Sequence, residues 1–115
     1  MSKQSISLLA LSVTLSATVA ACRFTTFAGA QAGAGENAYG VSRTGGVSGE
    51  KITVDALGTA IVEAGAAVTA GDTVKADSTG RAITWATSGA KLGQALQTAA
   101  AAGDLIEVLL IPNVA

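Results

Sequence analysis

A chain of 115 residues with a net charge of −1 and no histidine is long enough for one domain and too even in charge to track a phosphate backbone. It also lacks the usual base for a serine or cysteine nucleophile and the commonest zinc and iron ligand sets, so catalysis and metal cofactors are not expected. Half of the residues are hydrophobic but only 3% are aromatic. Much of that apolar content is alanine, and at about 25 cal/mol per Å² an alanine-rich interior stabilises a lone small domain weakly, so an assembly is expected to contribute.

The N-terminal run has two readings. Lys3 precedes a charge-free apolar stretch ending in Val19-Ala20-Ala21-Cys22, the form of a bacterial lipoprotein signal with its acceptor cysteine. Against this, Leu9, Leu11, Val13, Leu15, Ala17 and Val19 alternate with Ser12, Thr14, Ser16 and Thr18, which sends apolar and hydroxyl side chains to opposite faces of an extended strand. A helical signal core has no reason to alternate, and Ser, Thr and Val favour strands. The preferred reading is a long amphipathic strand over Leu9 to Val19, with Met1 to Ala21 retained in the mature chain. Beyond this run, no segment approaches the roughly 20 apolar residues of a membrane helix.

Arg23 to Phe27 reads as a second short strand with Phe24 as an anchor. Ala28 to Gly35, with Gln31 as its only polar side chain, is either a loop or a backbone lying flat on another surface. Ala38 to Ser42 returns to strand character, and Arg43 to Glu50 is a turn region. Lys51 to Asp55 and Thr59 to Glu63 alternate, with Gly58 marking a bulge or kink, so they form one bent strand or a tight pair. Thr73 to Asp77, a Ser78-Thr79-Gly80 turn and Arg81 to Trp85 predict a hairpin. Lys91 to Thr98 and Leu105 to Ile111 supply the last strands, and Pro112 stops the final one. Ala95 to Ala102 has the alternative of one short helix, since Ala, Leu and Gln favour it. Short strands with glycine turns about 8–12 residues apart give an all-β expectation, a small barrel or sandwich.

Other chemistry is thinly represented. Gly33-Ala34-Gly35 matches only the first glycines of a dinucleotide turn, and no Gly-Lys-Ser/Thr follows any glycine run. Cys22 is read as a small half-buried residue. Trp85, the single tryptophan, is a core plug or an interface anchor, with the anchor preferred because tryptophan is enriched at binding hot spots. A small-molecule barrel lacks the bulky groups to line its pocket.

The N-terminal strand running into Arg23-Phe24, the segment Gly29-Ala30-Gln31-Ala32-Gly33-Ala34-Gly35-Glu36-Asn37-Ala38-Tyr39-Gly40-Val41, the middle Ala56 to Gly65 and the ending Ala101 to Ile111 resemble the capsid cement, or head decoration, proteins of tailed bacteriophages. The resemblance spans nearly the whole chain. It implies a non-enzymatic virion protein on the outer capsid surface, built as a compact β-barrel-like domain and grouped as a dimer or trimer. Its partner would be the major capsid protein, with no direct role for nucleic acid, membrane or cofactor. Residues 1–27 are then expected to form an extended arm contacting the capsid or a neighbour, and 28–115 the compact β domain. The expected contact residues are Leu9, Leu11, Val13, Leu15, Phe24, Phe27 and Trp85, the strand pairing by its backbone and the Ala/Gly segment permitting close approach. The competing reading is a bacterial surface lipoprotein or secreted β-domain anchored through Cys22.

Overall fold

Alternating branched and hydroxyl side chains, short glycine turns and the scarcity of strong helix periodicity produce strands throughout. The computed structural model describes residues 6–38 and 40–110, and among these there is no helix. The strands are β1 (Ser7–Thr14), β2 (Phe24–Thr25), β3 (Gly40–Ser42), β4 (Lys51–Glu63), β5 (Thr73–Ala76), β6 (Ala82–Thr84), β7 (Gly93–Ala95) and β8 (Leu105–Leu110). They form one antiparallel sheet in the order β2-β3-β4-β8-β7-β5-β6, with β1 joined to β4. The sheet curls back on itself: Phe24 N–H donates to Gly80 O, and Gly65 N–H donates to Ala82 O beside an Ala64–Ala82 bridge, each bond 2.8 Å long. These bonds close the barrel-like form expected of short strands.

β4 is the spine. Its first half pairs with β1 and β3, its second half with β8, and Gly58 has Ser7 as partner in one ladder and Leu110 in the other. The predicted kink is real: Gly58 has φ 102°, and a Cβ there would collide with the carbonyl oxygen of Ile6. Only glycine lets β1 approach at that point. Lys51–Glu63 is therefore one bent strand, the first of the two forms expected.

The hairpin reading holds with shorter strands, Asp77, Arg81 and Trp85 lying outside them, and with Val74 opposite Thr84 and Ala76 opposite Ala82. Its turn is fixed by Asp77, whose Oδ1 accepts from Thr79 N–H at 2.8 Å and Arg81 N–H at 2.9 Å, so the side chain substitutes for a backbone turn. The short helix considered over 95–102 is absent. Ala95 belongs to β7, and Ala99 forms a bridge with Val68, so cross-chain backbone pairing overrides alanine's helical preference. Tyr39, Ile111 and Pro112, which entered the strand expectations, lie outside the described residues.

The interior divides into two clusters. The larger gathers Phe24, Val41, Val62, Val68, Val74, Leu92, Ile106, Val108 and Leu110 with seven alanines. The smaller holds Val13, Leu15, Val19, Ile52 and Val54, and so joins the N-terminal strand to the start of β4.

Candidate functional site

The residues expected at the contact surface separate by burial. Val13 and Leu15 lie in the smaller cluster and Phe24 in the larger, at 8%, 2% and 1% exposure. Their side chains hold the fold together and have no surface to offer. Leu11 is half-buried. Leu9 and Phe27 stand open at 46% and 61%. Trp85 is half-buried among its own neighbours: its Nε1–H donates to Gly89 O at 2.9 Å, and the Lys91 ammonium sits 4.4 Å from the ring centroid. These contacts tie off the loop between Trp85 and Lys91.

Two further apolar side chains lie beside Leu9. Ile6 is 51% exposed and Leu8 72%. Leu8 has no partner in the β1–β4 register, which shifts between Ser7 and Leu9 and again between Leu9 and Ala10. A bulge there re-aims the side chain outward. The sequence carries the signal in its adjacent Leu8 and Leu9, which break the alternation that holds from Leu9 onward. From Ala10 to Thr14 the register is unbroken, and there the strand ends: the strand expected over Leu9 to Val19 stops at Thr14, the chain bends at Ser16 and Ala17, and Val19 forms only an isolated bridge with Gly46. Among the described residues the other edge of β1 has no strand partner.

The Ala/Gly segment is not free backbone. Ala32 is fully buried, its N–H donating to Phe24 O. Gly35 N–H donates to Ala76 O, and Gly35 O accepts from Ala90 N–H. A Cβ on Gly89 would stand 2.9 Å from the Gly35 Cα, so these two glycines permit a contact that alanine would block. Small side chains do allow close approach here, to the chain's own barrel.

Cys22 is built into the fold. It adopts φ 61°, donates its N–H to Ser42 O at 2.9 Å and accepts from Glu63 N–H at 3.0 Å. Burial, reinforced by the Glu63 carboxylate and opposed by Arg23, pushes its thiol pKa up and makes it a poor nucleophile. It lines a cavity of about 280 Å³ with Val41, Ser42, Arg43, Asp55 and Ile61, whose charged groups already pair as Arg43–Asp55. Cleavage before Cys22 would remove β1 together with Val13, Leu15 and Val19 of the smaller cluster.

Charge is used to lock strands. Glu63 takes Arg23 at 3.3 Å and Arg81 at 3.5 Å, Arg81 also reaches Asp77, and Arg23 donates to Thr79 O. Burial alone would raise the Asp77 pKa. The Thr79 and Arg81 N–H groups, the Thr79 hydroxyl and the Arg81 guanidinium outweigh it and hold the carboxyl below its usual range.

The described residues thus form an all-β barrel whose arginines pair with carboxylates across strands and whose first strand has one edge without a strand partner. The family model of the phage cement protein matches residues 4–110. The chain belongs to the phage cement protein family. The match runs through Val19-Ala20-Ala21-Cys22 without interruption in its bounds, so the lipoprotein-like tetrapeptide lies within the family region. As a cement-family member the chain is a structural protein of the phage virion, associated with the capsid. In fold it is similar to the N base of head fibre gp8.5 of bacteriophage phi29, with a TM-score of 0.73 and 17% identity over 93% of this chain and 98% of that one. No curated protein matches the sequence significantly.

Proposed function

We propose that this cement-family chain binds the outer surface of the expanded head, bridges neighbouring major capsid proteins and stabilises the shell against the pressure of packaged DNA. The observation that carries the reading is the open edge of β1. It runs for eight residues without a charge or a proline, flanked by Ile6, and exposes Leu8 and Leu9. Natural sheets guard free edges with lysine, proline or extreme shortness, so an unguarded edge of this length fits one that is covered by another chain's strand. The phi29 relative is the base of a head fibre, which supports placement on the head exterior. Each copy then needs only a modest contact, because many bridges on one shell act together. Grouping of the copies as dimers or trimers belongs to the same reading, as does contact by Phe27 and Trp85. Leu9, Phe27 and the newly found Leu8 are the apolar groups best placed for it.

The test uses expanded heads prepared from a phage lysate that lacks this protein. Wild-type chain is expected to co-sediment with them and to raise their resistance to heat. The double variant Leu8→Lys/Leu9→Lys places charges on exposed positions and should keep its melting temperature while losing affinity by about tenfold or more. Heads that neither bind the wild-type chain nor gain resistance from it would overturn the proposal.

A further inference from the structure

One hydrogen-bond pattern recurs through the barrel and is incomplete at β1. A Gly-acid pair closes on the residue that ends a strand: Leu15 N–H donates to Glu50 O, and Gly49 N–H donates back to Leu15 O. Asp104 and Gly103 do the same at Ala64, and Asp72 and Gly71 at Ala95. All are bulges with a positive-φ glycine in first place. The strands ending at Ala64 and Ala95 are covered on both edges. β7 lies between β5 and β8, and β4, paired with β8 on one side, has Glu63 N–H donating to Cys22 O on the other. Among the described residues β1 holds the same place in the pattern with one edge bare.

That edge has a defined face and two apolar ends. Leu15 turns its backbone groups to β4, whereas Ser16 N–H turns the other way, to Gly29 O at 3.0 Å. Through the unbroken register the N–H and C=O groups of Ala10 and Ser12 therefore face outward. At one end stand the exposed Ile6, Leu8 and Leu9. At the other, Gly29 lies so close to Thr14 O that a Cβ would collide with it, and the turn 26–29 that it closes presents the exposed Phe27. Between the ends Leu11, half-buried, shares a face with Val13 and Val54 of the smaller cluster.

We infer that a second copy covers this edge, the two β1 strands running antiparallel about a two-fold axis at Leu11. The inference goes beyond the capsid-binding reading by naming the chain on the edge, so that the shell is gripped by pairs of cement domains. Ala10 and Ser12 of one copy exchange hydrogen bonds with Ser12 and Ala10 of the other, and Leu11 meets its own counterpart as a closely spaced pair. The same operation carries Leu8 and Leu9 of each copy to the Phe27 turn of the other. Unlike apolar ends thus meet twice, which is the self-complementarity an isologous contact requires. Charge does not oppose the pairing. β1 has none, Asp55 is taken by Arg43, and the exposed Lys51, opposite Thr14, lies at the far end from its counterpart. At their exposures Ile6, Leu8, Leu9 and Phe27 offer on the order of 400 Å² per copy, and with the strands between them two copies approach the ~1,000 Å² of a specific interface.

The full chain is expected to be a dimer in sedimentation equilibrium at about 100 µM, above the micromolar dissociation constant of a weak contact of this kind. Ser12→Pro removes an N–H that faces the open edge and leaves the β4 ladder intact, and Ser12→Lys sets two ammonium groups beside the axis. Each should keep the strand signal in circular dichroism and weaken the dimer by about tenfold or more. Leu11→Cys places a thiol on the axis, where paired Cα atoms stand about 4.5 Å apart, within disulfide reach, and should give a covalent dimer on oxidation. A monomeric or trimeric wild-type chain would overturn the inference, as would a dimer that both Ser12 variants leave intact. A monomer whose binding to protein-depleted heads is abolished by Ser12→Pro would overturn it in favour of a capsid strand on the edge. A dimer that ignores heads supports the inference and fails the cement reading, and a monomer that binds them does the reverse.

Discussion

The two buried clusters hold the same sheet by different means. The larger is built from one aromatic ring, a few branched side chains and seven alanines, and it lies where β5, β7 and β8 and the second half of β4 converge. The smaller contains no alanine and depends on Val13, Leu15 and Val19 meeting Ile52 and Val54. The first owes its strength to close approach of backbones across many elements. The second owes it to a few bulky groups at the junction between β1 and the rest. The lesson is that the strand with a second, unpaired edge is held by a long ladder to one strand and by a few bulky side chains, not by contacts spread over many elements.

The largest expected break in that comparison comes from the larger cluster. Phe24→Ala should cost about 3–5 kcal/mol, because alanine neighbours cannot collapse into the space left by its only ring. Urea unfolding should show this as a lowered midpoint. Leu15→Ala in the smaller cluster should cost about 2–4 kcal/mol, less than the loss of the ring because a smaller side chain is removed from fewer buried neighbours. Amide exchange sharpens the contrast: Leu15→Ala should speed exchange across residues 7–15 while β5 and β7 keep their protection. Equal acceleration everywhere would show that the two clusters unfold as one.

A smaller effect is expected from Gly58→Ala, about 1–3 kcal/mol from the unfavourable φ and the clash with Ile6 O. Its mark should again be loosened exchange in β1. The smallest concerns Asp77, far from β1. Its folded pKa lies below that of an unfolded aspartate, so its contribution is fully present above about pH 4 and is lost as the pH falls through the folded value. Asp77→Asn should therefore be less stable by about 1 kcal/mol at neutral pH. The difference should shrink towards zero in acid unfolding.

The hairpin of β5 and β6 was readable from sequence because its turn chemistry and its alternation are local. The same holds for the bend at Gly58. Alternation put Val13 and Leu15 on one face of the strand, expected to meet a partner; that this face turns inward was not legible, since Ile52 and Val54, which cover it, are distant in sequence. Composition showed that the Ala/Gly segment could lie close to another surface. It could not show that the surface was the chain's own β5 and Ala90. The burial of Glu107 was hidden for a related reason: alternation sends it outward, where a glutamate is expected in water, and its cover depends on neighbours drawn from β4 and the end of β7.

The pairing of β1 with β4 also sets an order in time. Thr14 must wait for Lys51, and Ser7 for Gly58. At a synthesis rate of about 5–20 residues per second, a charge-free strand stands without its partner for about 2–10 s on the ribosome. Long-range pairing of this kind is slow to form, and an apolar strand kept waiting is exposed to association with other nascent chains. The hydroxyls of Ser12, Thr14, Ser16 and Thr18 make that wait tolerable, giving the unpaired segment a wettable side before the barrel exists.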